Sequence, residues 1–428
     1  MYLWCVLYST GIQPLEPPRL PMSFDSPTGI LQTAPRSARR AHAVRRRRLR
    51  TLVGLSVLAA IAAAVVLLAG ESDFGRAGGS SGAPVAEAPV VPPAVAEPTA
   101  TPEPEPVPSL PATLTIAAVG DIHFDRQVKQ LIEREGGLEP LRLVADHLAA
   151  ADVTVGNLES PLSNRGSKWP DKDYYFRGDP RGVEGLKASG FTFLSLANNH
   201  ILDYGAEALA DTLDLLDTTG IGYAGAGMDR AAAWEPAVAE YGETTVAFLS
   251  FSHILPAGFI ATDSRPGLAP GRTDMDAVTR AIAAAAQEHD YVLVSFHWGV
   301  EYADEANADQ VRDGRAAIDA GADMVLSHHP HVIQGIEFYN GGLIAYSLGD
   351  FVFDHYSRKT GEAFVLDAEL GPHGVANVRA TPVYLQGFGQ PKFVHGSEAT
   401  SILERLKAIS GPHGTSVVIE GDIARIVP

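Results

Sequence analysis

Cysteine is almost absent. Cys5 is the only one in 428 residues, so no disulfide framework and no thiolate metal site can form within the chain. Positive charge is scarce beyond the N-terminus. Of 33 basic and 51 acidic residues, positions 1–50 hold nine arginines and two acids, Glu16 and Asp25, and positions 51–70 hold no charge. That leaves 24 basic and 49 acidic residues for the rest. So acidic a body is a poor partner for nucleic acid, where affinity rests on neutralising phosphates. It also disfavours contact with an anionic polymer over the whole surface, though not through a local basic pocket. No internal repeat at a fixed period is present.

What the N-terminal region does have is one apolar run. Thr51 to Gly70 is 20 uncharged residues, which at about 1.5 Å per residue spans a ~30 Å hydrocarbon core. Arginines at 45–48 and 50 precede it, so residues 1–50, a disordered basic segment, are expected in the cytoplasm. The run exceeds the apolar core of about 7–15 residues found in signal peptides and reads as an uncleaved single-pass anchor. Met1 and Met22 are alternative starts. Residues 71–112 pass from Gly and Ser to Pro, Ala and Glu and read as a semi-extended linker. It would hold a folded domain, 113–428, outside the cell membrane.

From Thr113 near-continuous apolar strands alternate with helical patterns such as "RQVKQLIEREG", "LEPLRLVADHLAAA", "AEALADTLDLLDTTG" and "AVTRAIAAAAQEHD". This texture predicts an α/β fold with sheets covered by helices. The strands end on polar groups: Asp121 and His123; Asn157 and Glu159; Asn198, Asn199 and His200; His297 with Glu301 close behind; His329 and His331; Asp350. Ligands of α/β sheets bind outside the carboxyl ends of the strands, so these groups are expected to converge. Asp121 and His123 are two apart, as are His329 and His331, and on an extended segment each pair faces one way. Any one of these motifs alone is ordinarily a turn, a cap or a core histidine; their recurrence at every strand end favours a metal site. With Glu159, Asn199 and His297 they make seven oxygen and imidazole donors, enough for two ions about 3.5–4 Å apart sharing a carboxylate. Sulfur-free ligation suits Mn, Fe or Zn.

The order Asp-x-His, acidic motif, Asn-His, lone His, His-x-His resembles the calcineurin-like metallophosphoesterases. The wording "GNLESPLS", "FRGDP", "LANNHILDYG", "FHWGVEY", "SHHPHVIQG" and "YSLGDFVF" resembles the CapA family, associated with poly-γ-glutamate capsule synthesis. The likeness covers about 113–428. It implies a four-layer α/β/β/α sandwich with a dinuclear centre. By motif, Asp121, His123 and His331 would hold one ion, and Asn199, His297 and His329 the other, with Glu159 bridging. His200 would be the general acid or transition-state stabiliser. Arg177 is the candidate for a substrate carboxylate or phosphate, with Glu301 also placed at the substrate. Asn157 and Asp350 would support the ligands from behind. Two departures stand out: Glu159 where phosphoesterases use Asp, and Asp350 where Asn is typical.

Two kinds of function follow. One is a metal-dependent hydrolase acting on an amide or phosphoester bond of an extracellular anionic polymer, poly-γ-glutamate first, or a general secreted phosphodiesterase. The other is a non-catalytic accessory of a membrane-bound polymer synthase or export complex.

Overall fold

The structure, a computed structural model, describes residues 110–428. The basic segment 1–50, the anchor 51–70 and positions 71–109 of the linker lie outside the described residues. Among the described residues no helix is long and apolar enough to cross a membrane. The last linker residue is already docked: the Ala112 amide donates to Thr244 Oγ1 (2.7 Å), and the Tyr291 hydroxyl donates to the Ala112 carbonyl (2.8 Å).

The strands, in chain order, are β1 (Leu114–Ile122), β2 (Val153–Leu158), β3 (Phe191–Ser195), β4 (Gly222–Ala224), β5 (Ala226–Gly227), β6 (Ala237–Tyr241), β7 (Thr244–Ser252), β8 (Gly267–Leu268) and β9 (Tyr291–His297). Then come β10 (Met324–His328), β11 (Ile336–Tyr339), β12 (Gly342–Ala345), β13 (Asp350–Val352), β14 (Glu362–Gly371), β15 (Gly374–Gln386), β16 (Gln390–Phe393), β17 (Ser416–Glu420) and β18 (Ile423–Val427). One sheet runs β17-β18-β15-β14-β1-β2-β3-β4, with β13 added to β1 and β16 to β15; the second runs β11-β12-β10-β9-β7-β6. β5 and β8 form a separate ribbon. The middle of each sheet is parallel, β1 to β4 in one and β7, β9, β10 and β12 in the other. Such strands are buried on both faces, which is why they read as apolar runs.

Packing sets the layers. Ile116, Val155 and Phe193 of the first sheet meet Phe248, Leu293 and Leu326 of the second in one buried cluster. The other face of the first sheet is covered by Val128, Leu148, Leu186 and Leu209, from helices Arg126–Glu135, Ala145–Ala149, Gly182–Ala188 and Gly205–Thr219. The outer face of the second is covered by Val278, Ile282, Ala317 and Ile318, from helices Met275–Glu288 and Ala308–Ala320. Helices, sheet, sheet and helices therefore stack in that order.

One expected helix is broken. "LEPLRLVADHLAAA" forms a 3-10 turn, Glu139–Leu141, and only then the helix Ala145–Ala149. The Glu139 carbonyl is taken by the Gln390 side chain of β16 (2.5 Å) and by the Arg142 amide (3.2 Å), partners that close the turn tightly instead of continuing it.

Candidate metal centre

The site is built where the two parallel sheet centres end. Gly120 in β1 lies so close to the loop before β13 that a Cβ there would sit 1.9 Å from the Gly349 carbonyl oxygen. Only glycine permits that approach, and it lets the Asp121 amide bond to the Gly349 carbonyl (2.8 Å), with Asp121 opposite Asp350 in register. Beyond β2, the Glu159 amide bonds to the Ile122 carbonyl (2.7 Å), which turns its carboxylate toward Asp121. Asn198 clamps the loop after β3. Its Nδ2 donates to the Leu158 carbonyl (2.8 Å) and Asn157 Oδ1 (3.0 Å), while its Oδ1 accepts from the amides of His200 and Ile201. In the second sheet His297 and His328 end β9 and β10 in direct register.

Strand alternation stops there. His329 has φ 96° and His331 φ 55°, left-handed backbone that non-glycine residues adopt rarely and mostly where the surroundings impose it. The turn replaces the expected extended His-x-His. It aims His328, His329 and His331 at the same place: His328 Nδ1 is 3.3 Å from Asp121 Oδ1, His331 Nδ1 is 3.5 Å from Asp121 Oδ2, and the His329 amide donates to Asp121 Oδ2 (3.2 Å).

Three overlapping groups have donor atoms within 4.8 Å of one another: Asp121, Glu159 and His297; Glu159, His329 and His331; Asp121, His331 and Asp350. Glu159 belongs to the first two. Asn199 Oδ1 lies 2.7 Å from His297 Nε2, so Asn199 adjoins the same donors. All but Asn199 are buried. Among the described residues, Glu159 Oε1, His329 Nδ1 and His328 Nε2 have no hydrogen-bond partner. Buried polar atoms are normally paired, and three carboxylates sharing one dry space repel. A cation answers both problems, so these residues fit divalent metal.

The protonation pattern agrees with crowded acids. Burial and the neighbouring Asp121 charge push Glu159 well above the usual carboxylate range, and burial raises Asp350 to about 7 against the pull of His331. Burial also works on Asp121, but His328, His331 and Asn157 outweigh it and hold it low. Burial opposes charge on His331, yet Asp350, Glu159 and Asp121 keep it well above an ordinary imidazole. Burial, with His331 beside it, drops His329 to about 3, and burial with the surrounding imidazoles lowers His297.

His123 is kept apart from this cluster. Its Nδ1 accepts from the Asp125 amide (3.1 Å), so Nε2 carries the proton and donates to Asp354 Oδ1 (2.7 Å). The ring is packed on Phe176 and edge-on to Phe353, with centroids at 4.7 and 4.1 Å. With both nitrogens committed it has no lone pair for a metal, and it is Asp350 that stands with Asp121 and His331. Asn157 lies behind the cluster, donating to Asp121 Oδ1 (2.8 Å). Asp350 both joins the donors and bonds to His331 Nδ1 (2.8 Å). His200 sits with Nδ1 2.6 Å from Asp203 Oδ2, and Lys172 pairs with the other Asp203 oxygen. Burial lowers His200 to about 4 although Asp203 pulls it up. Arg177 is half-buried with its guanidinium over the Tyr204 ring at 4.4 Å. Glu301 is exposed at the rim, where its charge still reaches Glu159. His328, Asp203, Asp354 and Lys172 were not singled out from sequence. His328 stood inside the motif; the other three carry no local pattern that sets them apart.

A buried, sulfur-free cluster of carboxylates and imidazoles at the shared edge of two sheets defines an α/β protein with a candidate metal centre. The family model for bacterial capsule synthesis protein PGA_cap matches residues 115–355, more than half of the chain, and the chain belongs to that family. It is 34% identical over 276 residues to the PGA biosynthesis protein CapA of Bacillus subtilis, a match covering 63% of this chain and 71% of that protein. It is also 34% identical over 230 residues to a probable polyglutamine synthesis accessory protein of Mycobacterium tuberculosis, covering 52% of this chain and 60% of that one. Among solved structures, the sulfate thiohydrolase SoxB of Thermus thermophilus overlaps 70% of this chain and 60% of its own, at 14% identity and a TM-score of 0.37. So loose a likeness carries no argument.

Proposed function

We propose that the chain is a membrane-anchored, extracytoplasmic hydrolase of capsule or poly-γ-glutamate synthesis, with a metallophosphoesterase-type sandwich and a dinuclear centre, cutting an amide or phosphoester bond. The observation that carries this is Glu159: a fully buried carboxylate, shared by two donor groups, with one oxygen left without a partner. Asp121 and His297, with Asn199 beside them, would hold one ion and His329 and His331 the other, with Glu159 common to both and Asp350 adjoining Asp121 and His331. Mn, Fe or Zn suits such donors. Divalent ions there supply Lewis acidity and an acidified water.

The chain's own residues supply the rest. Asp203 accepts the proton of His200 Nδ1 and fixes the tautomer, which leaves Nε2 as the basic nitrogen. The Phe176 amide also donates to Asp203 Oδ2 (2.7 Å), so the carboxylate cannot swing away. Burial keeps the imidazole neutral near pH 7, ready to take a proton and return it to a leaving group. Arg177 would receive a substrate anion through its planar fork.

The test is metal content and turnover together, with poly-γ-glutamate and then a chromogenic phosphodiester. His200→Ala is expected to keep its metal and fold while losing about 10²–10⁴ in rate. An unchanged rate would make His200 structural. A second reading, an accessory subunit without catalysis, draws on the name of the Mycobacterium relative. It gains if the wild type holds two ions and turns over neither substrate.

A further inference from the structure

We propose that Arg126 and Arg177, ringed by Tyr174, Tyr302 and Tyr356, form a subsite that seats a carboxylate or phosphate of a chain-like polyanion beside the metal cluster. The proposal deepens the reading above and rests on it only for the choice of the first probe.

Asp125 organises both cations. Its carboxylate accepts the Arg177 amide (2.8 Å), and its own amide bonds to His123. Arg126 follows directly, at φ 51°, a left-handed conformation that tends to persist where surrounding structure imposes it. The turn lays the Arg126 guanidinium over Phe176 at 4.5 Å, and Phe176 in turn meets the His200 ring at 4.2 Å. Arg126 is therefore one aromatic ring from the residue expected to move protons. Its Nη1 donates to the Tyr356 hydroxyl (2.8 Å) and lies 3.7 Å from Asp354 Oδ2. That carboxylate is already engaged by His123 and Tyr356. A guanidinium has five N–H donors in one plane, so edges remain for a ligand.

Arg177 is the more telling case. In a body with twice as many acids as bases, Arg142, Arg165, Arg181, Arg312, Arg315 and Arg405 each pair with a carboxylate. Arg177, among the described residues, makes no ion pair and only stacks on Tyr204. Stacking holds the plane while leaving its N–H edge for an anion.

The tyrosines mark the approach. Tyr174, Tyr302 and Tyr356 are 70%, 53% and 71% exposed, on three separate loops. The Tyr302 ring stands 6.3 Å from the His331 ring, and the Tyr356 hydroxyl bonds to Arg126 and Asp354, so these two rings border the cluster and the arginine. Tyr302 is tied to the histidine turn by its amide, which donates to the Pro330 carbonyl (2.7 Å). Exposed aromatic rings offer contact area with a polar tip, a surface for a flexible chain, while the arginines fix its charge.

The experiment is fluorescence anisotropy with the full chain in chelator, so that binding is read without turnover. The probes are labelled poly-γ-glutamate, polyphosphate and a neutral dextran. Wild type is expected to bind a polyanion in a salt-sensitive way and to ignore dextran. Arg126→Gln and Arg177→Gln should each weaken Kd about tenfold, and Arg126→Lys should recover only part of the loss. Circular dichroism checks the fold; Arg177→Gln, on a half-buried side chain without polar partners, keeps the test decisive if Arg126→Gln does not fold. Binding of polyphosphate alone, with the same losses, would keep the subsite and sink the poly-γ-glutamate reading. Poly-γ-glutamate binding unchanged by either substitution would do the reverse. A wild type that binds neither polyanion overturns the subsite.

Discussion

Single side chains decide which donors belong to the centre. His123 and His329 are both buried imidazoles, yet of the two only His329 has a ring nitrogen without a hydrogen-bond partner among the described residues. The Asp125 amide and Asp354 hold His123 at both ends. His123→Ala is therefore predicted to leave the metal count unchanged, measured by mass spectrometry of the metal, while lowering unfolding stability by about 2–3 kcal/mol through the emptied ring stack. Loss of one ion per chain would restore His123 to the ligands. At this scale the sequence was legible in part. Asp121, Glu159, Asn199, His297, His329 and His331 each close an apolar run, and the structure brings all six together. His123 stands outside these donor groups; β1 ends at Ile122, so alternation no longer governs the next residue. Alternation also hid His328, which it would point away from His329 had φ stayed negative.

Elements explain what the apolar pattern could and could not reveal. The parallel strands β1, β2, β3, β9 and β10 stood out because both their faces are buried. The hairpin β14–β15 did not. Its second strand alternates exposed and buried positions and contains Pro382, and its pairing slips between Asp367 and Glu369. Proline and bulges both demote a strand reading. This hairpin flanks β1, and Asp367 on β14 reaches the helix Ala145–Ala149 through His147 (2.9 Å). The Asp367 bond outweighs partial burial and raises His147 above its ordinary value. A raised histidine contributes stability that is fully present below the unfolded value near 6.5 and is lost as pH rises through the folded one. Wild type should thus lose part of its denaturant midpoint relative to His147→Gln as pH rises from near 6.5 through the folded value. Parallel pH profiles for the two proteins would show that the pair contributes nothing.

At the scale of the whole molecule, charge and hydrophobicity divide the chain into a basic head, an apolar run and an acidic body. If that division is topological, protease added to spheroplasts should remove the body and spare the head; full protection of the body would reverse the orientation. The acidity also bears on the centre. Asp121, Glu159 and Asp350 are packed where, among the described residues, no lysine or arginine enters the donor groups, and the folded body tolerates them if cations share the space. The central claim is that one carboxylate serves two ions. Metal stoichiometry of the full chain and of Glu159→Gln tests it most directly, because Glu159 belongs both to the group of Asp121 and His297 and to the group of His329 and His331. The account predicts close to two divalent ions in the wild type and a fall at both positions in the variant. Loss of a single ion with the other held at full occupancy, or no loss at all, would contradict it.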